Sequence, residues 1–158
     1  MPLILSFLLA SAPTSQVLAD GSVQASIHVD LAPELVWPQM DSPSKIAALS
    51  QAGGIESEVK EGECWLLHRK MDLVVYTIDW HTKACPTTSG LMETLVEGEG
   101  MKSYQSLWQV LPDGEGSLIQ IQSKTLTSLP APPGMVQKAA IKESEAGLRN
   151  IKAALEAN

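Results

Sequence analysis

The sequence predicts an α+β fold in which one antiparallel sheet of about seven strands curves around a long C-terminal helix, with two short helices after the first strand. Three observations carry it. From Leu95 to Gln122, three strand-like segments are separated by two glycine turns, Gly98-Glu99-Gly100 and Asp113-Gly114. From Pro133 to Ala157 the chain is rich in Ala, Lys and Glu, and Val136, Ala140, Leu148, Ile151 and Leu155 recur at spacings of three and four or their multiples. That is the pattern of a helix with one buried face. Before it, period-2 alternation dominates, broken only between Leu31 and Ser50.

Each element has a local cause. Val23, Ala25, Ile27 and Val29 alternate with Gln24, Ser26 and His28, which gives the first strand one apolar face. Pro33 and Glu34 suit a first helical turn, and Pro38 keeps that helix short. A second short helix is expected from Ser44 to Ser50, ended by Gly53-Gly54. Ile55 to Lys60 leads through Glu61-Gly62 into Cys64–Arg69, and a turn at Met71-Asp72 is expected to return the chain through Leu73–His81. There Val74, Tyr76, Ile78 and Trp80 share one face, opposite Val75, Thr77, Asp79 and His81. Leu91–Val96, Ser103–Leu111 and Ser117–Thr127 complete the meander, with Asp113-Gly114 as a hairpin signal. Gly147 interrupts the terminal helix at a cost of about 1 kcal/mol relative to Ala. On the buried side it leaves space between helix and sheet; on the other it simply faces solvent.

Size and charge bound the function. The 158 residues suit one domain, and a hydrophobic fraction of 44% supports a core. A net charge of -7 argues against nucleic acid as a partner, because neutralising a phosphate backbone takes clustered Lys and Arg. Residues 1–19 read as an export signal: Leu3–Ala10 is a short apolar run, and Val17-Leu18-Ala19 offers small residues for cleavage before Asp20. The domain is then 20–158, in a periplasmic or secreted protein. The leader lacks Lys and Arg, so retention as an anchor is the alternative, although the run is short for a bilayer. Cys64 and Cys85 suit a disulfide in an oxidising compartment or two separate thiols. A turn at Met71-Asp72 would put the partner of Cys64 near Asp79 instead.

Several stretches resemble a known family. His28-Val-Asp-Leu-Ala-Pro-Glu-Leu-Val-Trp37 resembles an "I-D-x-P-x-x-x-V-W" opening, and Ser106-Leu-Trp-Gln-Val-Leu-Pro112 a "G-x-W-x-L-x-P" strand. Leu95–Lys102 resembles the stretch before the family's second half, and Ser128-Leu129-Pro130 its "lP" lead-in to the terminal helix. With the element order, these make the chain similar to the START-like helix-grip superfamily of polyketide cyclase/dehydrase-like proteins, Bet v 1-type allergens and lipid-transfer domains. The resemblance covers nearly all of residues 20–158. It implies a helix-grip fold and a hydrophobic small molecule or lipid as partner, with transient membrane contact compatible and no cofactor. Ser106 departs from the family's usual Gly, and Glu93 stands where many relatives have a large aromatic residue.

Few residues carry recognisable chemistry. Glu93 shares parity with Leu91 and Leu95, which would aim a carboxylate at an apolar surface, where an unpaired group is pushed toward its neutral, acid form. Met92, Thr94 and Val96 form a nearly equal apolar face, which would turn Glu93 to water. His28, His68 and His81 lie on separate strands without metal-ligand spacing, so no metal site is expected. His28 and His81 fall on polar faces and read as solvated. There is no nucleophile elbow and no phosphate-cradling loop. Trp65, Tyr76, Trp80, Tyr104 and Trp108, with Met135 at the head of the terminal helix, are the candidate ligand-binding set. Flat rings on a concave sheet line a cavity or fill a core.

The resulting expectation is an exported binder or carrier of a hydrophobic small molecule or lipid. A cyclase, dehydratase or lyase-like enzyme using Glu93 or Tyr76 is the second reading. The third is a ligand-free envelope interaction protein presenting Met101, Leu129 or Met135. The Leu129–Gly134 link and the Gly98–Gly100 turn are expected to border the cavity mouth.

Overall fold

Strict alternation decides which face of the sheet is inward: along Val23–Val29 every odd residue is buried and every even one is partly exposed. The computed structural model describes residues 12–72 and 77–157. In chain order it contains β1 (Thr14–Val17), β2 (Val23–Val29), α1 (Pro33–Val36) with a single 3-10 turn (Trp37–Gln39), α2 (Pro43–Ser50), β3 (Ile55–Glu61), β4 (Cys64–Asp72), β5 (Thr77–Pro86), β6 (Gly90–Glu99), β7 (Met101–Asp113), β8 (Gly116–Thr127) and α3 (Pro133–Glu156). The eight described strands form one antiparallel sheet in the order β1-β2-β8-β7-β6-β5-β4-β3. The sheet grips α3, as the helix-grip pattern predicts.

One strand exceeds the expected seven. Thr14–Val17, upstream of the Ala19-Asp20 bond, pairs with the edge of β2, and the Ser15 hydroxyl donates to Glu145 on α3 at 2.7 Å. Its outward-facing residues are polar apart from Val17, so neither apolar parity nor length announces it.

The helices begin and end for the reasons proline and capping suggest. Pro33 opens α1, and Ser42 caps α2 by accepting from the Lys45 amide at 3.3 Å. Gln51, in the left-handed region at φ 58°, ends α2 ahead of Gly53-Gly54. At the β6–β7 corner only Gly100 makes the turn, at φ 83°. Gly98 continues β6 beneath Trp80, where a Cβ would lie 2.4 Å from that of the tryptophan.

The expected turn at Met71-Asp72 is displaced. Register pairs Met71 with Ile78 and Asp72 with Thr77, so Met71 and Asp72 belong to paired strand and not to a turn; residues 73–76, including Tyr76, lie outside the described residues. The displacement shifts pairing by an even number of residues, so every inward residue stays inward. Its consequence is covalent: Cys64 stands opposite Cys85 instead of Asp79, and the two form a disulfide with a Cα–Cα distance of 4.3 Å.

α3 is anchored by its C-terminal part. Leu148, Ile151 and Leu155 are fully buried against the main core with Ile27, Val29, Val36 and Ile119. Asn150 donates to the Ser50 carbonyl at 2.9 Å, and Lys152 to the His28 carbonyl at 2.7 Å. Toward its start the same helix has half-buried side chains at best among the described residues, Val136, Gln137, Ala140 and Ile141, with Gln137 donating to the Gly21 carbonyl at 3.0 Å.

His28 is less solvated than expected. Its imidazole is bracketed by Asp113 at 2.8 Å and Asp30 at 3.0 Å. The hydrogen bond that His28 donates to Asp113 raises its pKa above the ordinary 6.5; burial opposes this and Asp30 reinforces it. Since the folded value exceeds the unfolded one, the stabilisation is complete below the unfolded pKa and fades as pH rises through the folded one. Urea unfolding from about pH 5 to about pH 8 should show the wild type's advantage over Asp113→Asn shrinking as pH rises. Reduction of Cys64–Cys85, which closes a loop with a sequence separation of 21, should cost about 3 kcal/mol in the same measurement.

Candidate ligand cavity

The inner face of the sheet carries a polar row between two apolar clusters. On β5, Ile78 and Trp80 belong to one cluster and Ala84 to the other, with buried Thr82 between them. β6 repeats this with Leu95, Glu93 and Leu91, and β7 with Tyr104, Ser106 and Trp108. β4 places Arg69 beyond Leu67, and β8 places Ser123 beyond Ile121. Glu93 pairs directly with Ser106, and Ser106 with Ser123, so the polar positions run across neighbouring strands.

Glu93 is 5% exposed, which decides its face in favour of the inner one. It is paired there, contrary to the expectation of a carboxyl in apolar surroundings. Arg69 donates through Nε to Oε1 and through Nη2 to Oε2 at 2.8 Å, and the Thr82 hydroxyl also donates to Oε1. Three donors thus converge on one carboxylate. Burial disfavours the charge of Arg69, but Tyr104, Glu93 and Glu143 outweigh it and push its pKa up, so the guanidinium stays cationic. Tyr104 is pushed far above its ordinary value of 10 by burial and then by the Glu93 charge; Arg69 and a hydrogen bond with Ser106 oppose this without reversing it. Its hydroxyl therefore keeps its proton.

A cavity of about 590 Å³ lies over this row. Trp80, Leu91, Tyr104, Trp108 and Ile121 supply its sheet wall beside Arg69 and Glu93. From α3 come Ala140, Glu143, Ser144 and Gly147, and from the end of α2 Ile46 and Ser50, followed by Gly53 and Gly54. The residues α3 sets over the row are small or polar, so the helix cannot fill the concave sheet. Gly147 thus faces inward: a Cβ there would meet that of Ser50 at 3.4 Å.

The expected site residues divide. Trp80, Tyr104 and Trp108 line the cavity. Trp65 packs against the main core without lining it, and the Lys60 ammonium sits 5.0 Å from its ring centre. Met135 is 61% exposed and contributes nothing to the lining, whose first residue on α3 is Ala140, more than a turn further along. Tyr76 lies outside the described residues. The Leu129–Gly134 link and the Gly98–Gly100 turn do not contribute lining residues; the rim runs instead through Gly53-Gly54, Lys70-Met71 and α3. Arg69, Ser106 and Ser123 were missed as a group. The signal was present, since each is a polar residue at an inward parity.

Residues 20–156 match the profile of the family described as polyketide cyclase / dehydrase and lipid transport. The chain belongs to this family. Solved structures of the polyketide cyclase/START type share its fold at low identity. The Zhui aromatase/cyclase of Streptomyces sp. R1128 has a TM-score of 0.68 at 14% identity, covering 85% of this chain and 93% of its own. A START superfamily protein from Mycobacterium smegmatis gives 0.66 at 15%, with coverages of 86% and 97%. A protein from Thermus thermophilus gives 0.66 at 18%, covering 86% of this chain and 97% of its own. Among curated proteins none matches the chain.

Removing one member of the buried pair should expose its energetics. Glu93→Ala leaves Arg69 without its counter-charge and should destabilise by about 3 kcal/mol, while the double variant Arg69→Met/Glu93→Leu should recover most of that loss. Denaturant unfolding of the wild type and the two variants measures both.

Proposed function

We propose that the protein is an exported binder or carrier of a hydrophobic small molecule or lipid, held between the sheet and α3. The observation that supports this reading most strongly is an aromatic-walled cavity of about 590 Å³, well inside the range of about 300–1,000 Å³ typical of small-molecule sites. Membership of a polyketide cyclase/START-type family supports the same ligand class. Trp80, Trp108, Leu91 and Ile121 offer apolar walls, while the Tyr104 hydroxyl and the remaining guanidinium donors of Arg69 offer hydrogen bonds. The ligand that suits this lining is amphipathic, with its polar end toward the row and its apolar body along the rings. Export rests on the leader pattern of residues 1–19, whose cleavage before Asp20 would remove β1 while retention as an anchor would keep it, and on the Cys64–Cys85 disulfide, which belongs to oxidising compartments.

The second reading, an enzyme of cyclase or dehydratase type, is favoured by one observation: Arg69, Glu93 and Tyr104 gather beside the same cavity. A ligand-free interaction protein gains less support, since Met101 is buried and Leu129 packs against Trp80's cluster, leaving only Met135 strongly exposed of the three.

Ala140→Phe and Ser144→Phe extend rings from α3 into the cavity. Each should lower affinity for a fluorescent fatty-acid probe about tenfold while the far-ultraviolet spectrum stays unchanged. Native mass spectrometry of protein from its own host should show a co-purifying small molecule. Unaltered probe affinity in both variants, with no co-purifying mass, would rule out the binder reading.

A further inference from the structure

The geometry points to a surface site for a divalent transition metal, Zn²⁺, Ni²⁺ or Cu²⁺, on the outer face of the sheet, with His68 and His81 as its two protein ligands. The two residues are direct cross-strand partners on β4 and β5. Their rings are stacked with centroids 4.6 Å apart and an interplanar angle of 9°.

The disulfide identifies the kind of pair they form. Opposed residues in an antiparallel ladder alternate between a wide hydrogen-bonded pair and a narrow non-hydrogen-bonded one. The 4.3 Å Cα separation of Cys64 and Cys85 marks a narrow pair. Pairing continues without a shift from there, and His68/His81 stands an even number of steps along, so it is narrow too. Both imidazoles leave the same side of the sheet at the closest spacing that two strands allow.

The His68 ring is also held as a metal ligand usually is, with its Nε2 hydrogen-bonded to Asp79, while Glu97 stands 3.8 Å from Nδ1 of His81, a charge nearby without a hydrogen bond. A carboxylate on one imidazole nitrogen orients the ring and increases the donor strength of the other. The opposite nitrogens, Nδ1 of His68 and Nε2 of His81, have no partner among the described residues. A turn of each ring about its Cβ–Cγ bond brings them toward one ion at about 2.0–2.1 Å, with water completing the coordination. Among the described residues no group of three or more His, Cys, Asp or Glu side chains could hold a metal ion, so the proposed site has two protein ligands only, on an open surface.

Calorimetric titration of the full chain with Ni²⁺ or Zn²⁺ should give one ion per chain. His68→Ala and His81→Ala should each weaken binding by about tenfold or more, because the second imidazole acts at high effective concentration once the first is bound. Asp79→Asn should weaken it by about tenfold through the lost orientation of His68. Cu²⁺ spectra should show coupling to two imidazole nitrogens, reduced to one in either variant. His28→Ala, which removes the remaining histidine, should leave the affinity unchanged. His68→Gln and His81→Gln repeat the test with side chains that preserve length and polarity. The proposal is overturned by the absence of one-to-one binding, by equal affinity in the His81 variants and the wild type, or by loss of binding in His28→Ala instead.

Discussion

A half-buried arginine facing a buried glutamate constrains everything around it. Arg69 and Glu93 sit on the inner face of the sheet, where an unpaired charge would cost several kcal/mol, so each fixes the other. Thr82 completes the arrangement from the strand between them. Because these groups interrupt the apolar surface of β4, β5 and β6, the core splits into one cluster under the end of α3 and another around Ile78, Trp80 and Met101. An apolar helix side chain placed over the pair would desolvate it further without offering a hydrogen bond. Ala140, Ser144 and Gly147 avoid that penalty by not reaching it, and the gap they leave is the cavity.

The β4–β5 hairpin works on both faces. Inward it contributes Arg69, Thr82 and Trp80; outward it carries the Cys64–Cys85 disulfide and the stacked histidines. A crosslink on the outer face restrains strand separation, and strand separation would pull the inward groups out of alignment. Sites built on regular strands hold their geometry better than sites on loops, and here most of the sheet wall comes from strand residues. Gly98 adds a steric fit from β6, since Trp80 occupies the space a side chain there would need.

Most of the fold was legible because parity survives errors in turn placement. The displaced turn moved the expected partner of Cys64 to the wrong residue, yet left Ile78 and Trp80 inward, because the error was even. The same error counted against the disulfide, leaving it one of two alternatives, and hid the His68/His81 pair; both depend on absolute register and not on face. β1 was illegible for another reason: Thr14-Ser15-Gln16-Val17 buries little, and its position follows from backbone pairing with β2. The candidate site was half legible. Aromatic parity placed Trp80, Tyr104 and Trp108 on the concave face, but Trp65 has the same parity and lies too far along β4 to reach the cavity. Distance along a strand is invisible to alternation.

The polar row also bears on how the cavity treats a ligand. Both oxygens of Glu93 already accept hydrogen bonds, and Tyr104 holds its proton, so the site offers donors more readily than it offers a base. A neutral ligand with a carbonyl or hydroxyl near Tyr104 meets these donors while the ion pair stays intact. An anionic ligand instead competes with Glu93 for Arg69, and any carboxylate it displaces loses the donors that made burial tolerable. Proton transfer by Glu93 therefore requires a ligand that first rearranges the pair, whereas binding requires no rearrangement. On the proposed binding reading, an amphipathic molecule would lie in this cavity with the Arg69–Glu93 contact unbroken beneath it.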